Sequence, residues 1–143
     1  MNEPAYTVST VRRRRRKLPQ EVNNPRAVYD LIAPLVRDQD RECFYTVHLN
    51  TRNRVLAVEL VSVGSLNASL VHPREVFRKA IADGAASIVV AHNHPSGETD
   101  PSEDDLRITR RLKDAGEIIG IELLDHVIVA NGSWSSLREE RHL

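Results

Sequence analysis

Apolar residues recur first at helical spacing, then in extended runs, then at helical spacing again, and that order sets the expected architecture. The pairs Ala27/Val28, Leu31/Ile32 and Leu35/Val36 mark the buried side of a first helix. Asn24 precedes it as a cap, and Pro25 takes the first helical position, where a missing N–H leaves no bond unmade. Pro34 is expected to kink or shorten this helix. Residues 43–49 and 54–63 are rich in β-branched and aromatic side chains, and the polar Thr51-Arg52-Asn53 between them reads as the turn of an antiparallel hairpin.

A second helix opens at Pro73, carries Val76, Phe77, Ala80 and Ile81 on one side, and stops at Gly84, a suitable left-handed cap. Residues 87–91, Ser-Ile-Val-Val-Ala, form the short apolar run of a strand covered on both faces. After a loop rich in Pro, Ser, Gly and Asp, the string Asp100-Pro101-Ser102-Glu103 starts a third helix bearing Leu106, Ile108, Leu112 and Ala115, closed by Gly116. Residues 121–129 make a further strand, and Asn131-Gly132 signals a hairpin into a last short strand at Trp134. The expected fold class is α/β: one domain over residues 24–143, a mixed central β-sheet flanked by helices, preceded by an arm over residues 1–23.

Bulk composition narrows the setting. With 41% apolar and 28% charged residues in 143, the chain is ordinary for one globular domain. No apolar stretch approaches the ~20 residues a membrane helix needs, and residues 1–10 do not read as a secretory signal. A single cysteine, Cys43, excludes an internal disulfide and any metal site of several thiolates, and it fits a reducing cytoplasm. The formal net charge of +0 conceals an asymmetry, because residues 1–17 hold six Lys/Arg against one acid, a net of +5 that leaves −5 for the remainder. The run from Arg12 to Lys17 reads either as a weak nucleic-acid contact or as a solvated leader, and the lack of interleaved aromatics favours the leader.

The chemistry concentrates in Val90-Ala91-His92-Asn93-His94-Pro95-Ser96-Gly97 and in Pro101-Ser102-Glu103-Asp104-Asp105. Histidines at i and i+2, leaving the end of a strand, point to the same side and can share one ion. Asp105, in the first turn of the next helix, can supply a carboxylate, and Ser102 three residues earlier shares its face. Two imidazoles and a carboxylate make a catalytic zinc set, with the fourth position kept for water. Each half has a plainer reading: Ser102-x-x-Asp105 also matches a helix capping box, and paired histidines also occur as loop residues.

The whole string, His-x-His, seven residues, Ser-x-x-Asp, resembles the JAMM motif of the JAB/MPN metallopeptidases. His92-Asn93-His94-Pro95-Ser96-Gly97, Pro101-Ser102-x-x-Asp105, Asp125-His126 in an apolar strand, Val71-His72-Pro73-Arg74-Glu75 and Trp134-Ser135-Ser136 further resemble the RadC family, over about residues 24–137. That resemblance implies a cytidine-deaminase-like JAB/MPN fold and a zinc (Zn2+) hydrolase site with His92, His94 and Asp105 as metal ligands. It implies too a catalytic glutamate on an earlier strand, for which Glu59 is the match; Glu59 is also a lone acid in an apolar strand, costly to bury unless compensated. The plain alternative is an edge-strand acid facing solvent, and Glu42 and Glu75, read in a turn and a helix, are weaker stand-ins. Family members often carry a helix-hairpin-helix DNA-binding segment; the short arm stands in its place here, as in a standalone form.

On this reading Glu59 acts as general base and then general acid, and the Ser102 hydroxyl donates to the oxyanion while a peptide or isopeptide bond is cleaved. Asp125 and His126 read either as groups behind the ligands or, from the alternation around them, as a structural pair. Nucleobase deaminase and thermolysin-like chemistry are excluded because His-x-Glu with Pro-Cys-x-x-Cys, and His-Glu-x-x-His, are absent. Besides the hydrolase, a DNA-associated accessory protein using the basic arm and an inactive interaction module stay open. Loops at residues 65–72 and 95–100 are expected to set specificity, and these patterns leave the oligomeric state open.

Overall fold

A computed structural model describes residues 21–64 and 71–143. The basic run from Arg12 to Lys17 and most of the 65–72 loop lie outside the described residues. In chain order the elements are α1 (Pro25–Val36), β1 (Cys43–Leu49), β2 (Val55–Val63), α2 (Pro73–Ala82), β3 (Ser87–Asn93), α3 (Glu103–Ile119), β4 (Glu122–Ala130) and β5 (Ser133–Ser136). The sheet runs β2-β1-β3-β4-β5. Only β3 and β4 are parallel, since α3 crosses between them, while the other neighbours are antiparallel. This is the mixed sheet with flanking helices that the sequence predicts.

Every residue of the central strand β3 is buried, as expected for a run without polar alternation. Its odd positions face α1: Val89 and Ala91 pack with Val47, Val127 and Val129 under Val28, Ile32 and Val36. Its even positions face α2 and α3: Ile88 and Val90 pack with Phe44, Val76, Phe77, Ala80, Ile108 and Leu112. That alternation places His92 on the α3 side. The parallel β3-α3-β4 unit then brings the first turn of α3 toward the end of the strand that bears it.

Local signals hold in most places. The Asn24 side chain accepts from Ala27 N at 2.9 Å with Pro25 following, and α1 continues through Pro34 to stop at Val36. At the β1–β2 turn the Asn50 side chain accepts from the N–H groups of Arg52 and Arg54, while Asn53 takes φ 60°. Two expectations are corrected. Ile81 is 56% exposed, because the buried side of α2 is Val76, Phe77 and Ala80. The third helix runs past Gly116 to Ile119 and turns left-handed at Gly120, φ 89°.

Gly116 is needed for closeness instead: a Cβ there would stand 2.4 Å from the Ile121 carbonyl oxygen as the chain enters β4. Helix propensity alone credits Gly→Ala with about 1 kcal/mol. The backbone clash reverses that sign, and Gly116→Ala is expected to destabilise by about 1–3 kcal/mol in urea unfolding. A stabilised variant would show that α3 and β4 separate easily. No helix among the described residues is long and apolar enough to cross a membrane.

Candidate metal centre

His92 and His94 meet at the C-terminal end of β3. His92 is fully buried on the strand, and His94 follows it, held by its N–H on the Val129 carbonyl at 2.9 Å. Their Nε2 atoms lie 3.0 Å apart. Asp105, 1% exposed, enters from the third position of α3, with Oδ1 3.2 Å from His92 Nε2 and Oδ2 3.2 Å from His94 Nε2. The capping-box reading holds as well, because Ser102 Oγ accepts from Asp105 N at 3.0 Å and Asp105 Oδ2 accepts from Ser102 N at 2.9 Å. One carboxylate thus ends the helix and joins the cluster.

Imidazole and carboxylate donors bound tetrahedrally at about 2.0–2.1 Å from one ion stand roughly 3.3 Å apart. The separations here are close to that, and among the described residues these three form the group able to hold a metal ion. The Asp105 hydrogen bond raises the His94 imidazole against its burial, with help from the Glu98 carbonyl and the charges of Asp105 and Glu42. Burial alone would raise the Asp105 carboxyl, but hydrogen bonds from His92, His94 and Ser102 N–H hold it far below the carboxylate range.

The expected general base lies elsewhere. Glu59 pairs with Thr46 on β1, whereas His92 pairs with Phe44 on that strand's other side. Two strand spacings and two residues separate the Glu59 and His92 backbones, roughly 12 Å. The Glu59 carboxylate instead meets Lys79 of α2 at 3.1 Å, the compensation its burial calls for. Glu42 takes the nearer place: it stands two residues before Phe44, the β1 partner of His92. Asn93 clamps that corner, its Oδ1 accepting from Cys43 N at 2.6 Å and its Nδ2 donating to the Arg41 carbonyl at 3.0 Å. Glu42 is half-buried and its charge acts on His94.

Asp125 and His126 part company. The Asp125 carboxylate accepts from Ser136 Oγ at 2.7 Å and from the backbone N–H groups of His126 and Arg138, tying β4 to β5 and the following turn. Burial raises its carboxyl despite those bonds. His126 lies behind His92, with Nε2 2.8 Å from His92 Nδ1 and Nδ1 2.6 Å from Thr109 Oγ1. Thr109 was legible only as a helix residue four places after Asp105, hence on its face. Beside His94 a cleft of about 160 Å³ opens, lined by Tyr29, Ala33, Arg37, Pro95 and Asn131 among others.

A family model described as the RadC-like JAB domain matches residues 22–142. A UPF0758 protein of Moorella thermoacetica is 54% identical over 122 residues, and one of Methanosarcina mazei is 46% identical over 121; each match covers 85% of this chain and 53% of the relative. The chain therefore spans about half the length of the curated relatives it matches.

Proposed function

This chain belongs to the RadC family as a RadC-like JAB domain, and we propose that it is a zinc-dependent hydrolase of peptide or isopeptide bonds with Glu42 as its general base. The observation that carries this reading is the convergence of His92, His94 and Asp105 at 3.0–3.2 Å. Two imidazoles and one carboxylate match catalytic zinc sites better than the all-oxygen sets of calcium or magnesium. Bound there, zinc would supply Lewis acidity, polarising a carbonyl and lowering the pKa of a coordinated water toward ~7.

The remaining work falls to this chain's own groups. Glu42, whose charge acts on His94, takes the proton of the attacking water and returns it to the departing amine. The Ser102 hydroxyl accepts from Asp105 N, which leaves its own proton free to donate to the substrate oxyanion. The cleft beside His94 would take substrate residues flanking the scissile bond. A DNA-associated role rests on the basic run from Arg12 to Lys17 alone. A cytoplasmic setting accords with the lone buried Cys43.

Elemental analysis of the purified protein, paired with hydrolysis of peptide and isopeptide-linked substrates, tests the proposal. Stoichiometric zinc, activity abolished by a chelator, and loss of both in His94→Ala are expected. A folded wild type that takes up no zinc from excess would overturn it.

A further inference from the structure

Behind the three donors runs a chain of hydrogen bonds whose proton directions follow from counting donors. Thr109 Oγ1 donates its one proton to the Asp105 carbonyl at 2.7 Å, the usual bond of a helical threonine to the residue four before it. The same oxygen lies 2.6 Å from His126 Nδ1, and with its proton committed it can only accept there. His126 Nδ1 therefore carries a hydrogen. The ring is fully buried, and among the described residues no carboxylate lies in hydrogen-bond reach, so it carries only that one. Its Nε2 then accepts at 2.8 Å from His92 Nδ1, which fixes a hydrogen on His92 Nδ1 and leaves Nε2, facing Asp105 and His94, as the ring atom that a cation would take. His94 Nδ1 is fixed by a separate route, since it lies 2.8 Å from the Glu98 carbonyl oxygen and can only donate there.

We propose that Thr109 and His126 are positioning residues that hold His92 as the Nδ1–H tautomer, with its Nε2 lone pair presented to a divalent cation. The proposal rests on reading His92, His94 and Asp105 as a metal centre. It also assigns His126 a task separate from that of its neighbour Asp125. Phe44 supports the arrangement by packing against both rings, at 6.0 Å from His92 and 5.7 Å edge-on from His126. Outer partners of this kind fix the tautomer and ring direction of a metal-binding imidazole.

The test compares wild type with Thr109→Val, which keeps the branched shape and deletes the hydroxyl, and with Thr109→Ser, which restores it. Imidazole ¹⁵N spectra of the metal-free proteins at mildly alkaline pH should show His92 with Nδ1 protonated in wild type and Thr109→Ser, and with mixed tautomers in Thr109→Val. Zinc affinity, read by competition with a chromophoric chelator, should fall about 10–100-fold in Thr109→Val and recover in Thr109→Ser. Should Thr109→Val not fold, His126→Gln is measured in the same way and is expected to lose affinity likewise. An unchanged His92 tautomer and unchanged zinc affinity in the folded variant overturn the proposal. A wild type that binds no zinc overturns the metal centre itself, and the metal-free spectra still decide whether Thr109 and His126 set the His92 tautomer.

Discussion

Glu42→Gln is expected to lower amide hydrolysis by about 10²- to 10⁴-fold while leaving the metal content of the protein unchanged. The substitution keeps the shape and removes the group able to take a proton. Glu42 lies near enough for its charge to act on His94 and is not among the donors that meet at 3.0–3.2 Å, so metal uptake is spared. Glu59→Gln is the matched control: it breaks the contact with Lys79, at a site where both side chains are partly exposed, and should leave turnover close to wild type. Steady-state kinetics on one peptide substrate, with metal analysis of each sample, reads both. Full activity in Glu42→Gln together with its loss in Glu59→Gln would return the base to β2.

The second large effect belongs to Asp105→Ala. It removes a proposed metal ligand and half of the α3 capping box, so metal uptake is expected to vanish and stability to fall by about 1–2 kcal/mol. This loss depends on pH in a known direction. The folded carboxyl of Asp105 lies below its unfolded value, so its contribution is fully present above about pH 4 and is lost as pH falls toward the folded value. The His94 imidazole lies above its unfolded value, so its contribution is fully present below about pH 6.5 and is lost as pH rises through the folded value. In chelator, the stability gap between wild type and Asp105→Ala should therefore be widest from about pH 4 to 6.5. Urea unfolding across that range checks it, and a gap that ignores pH would mean the two side chains are not electrically linked.

Much of this was legible in the residues because the controlling interactions are local. The unbroken apolar run of residues 87–91 announces a doubly covered strand, and Asn24-Pro25 announces a helix start. The two readings of Ser102-x-x-Asp105 looked like rivals, yet the capping box is present and leaves the other open, since a carboxylate accepting a backbone N–H keeps a lone pair for another partner. What escaped depends on pairings distant in the chain. Glu59 looked uncompensated because its neighbour Lys79 comes from α2 twenty residues on. Glu42 looked like a turn residue because its nearness to the histidines arises only from the pairing of β1 with β3, which sets Phe44 beside His92. Gly116 looked like a helix terminator because nothing nearby in sequence reveals how tightly the Ile121 carbonyl crosses it.

The double engagement of Asp105 Oδ2, with Ser102 N–H on one side and His94 on the other, bears on how cheaply an ion can be received. A free aspartate must give up rotamer freedom when it coordinates, a cost of about 0.5–1.5 kcal/mol for a typical side chain. Here the capping box and the His94 contact already hold the Asp105 side chain, and burial in the sheet does the same for His92. Preorganisation of this kind moves the ordering cost into folding, so that an ion bound as proposed would not have to meet it again.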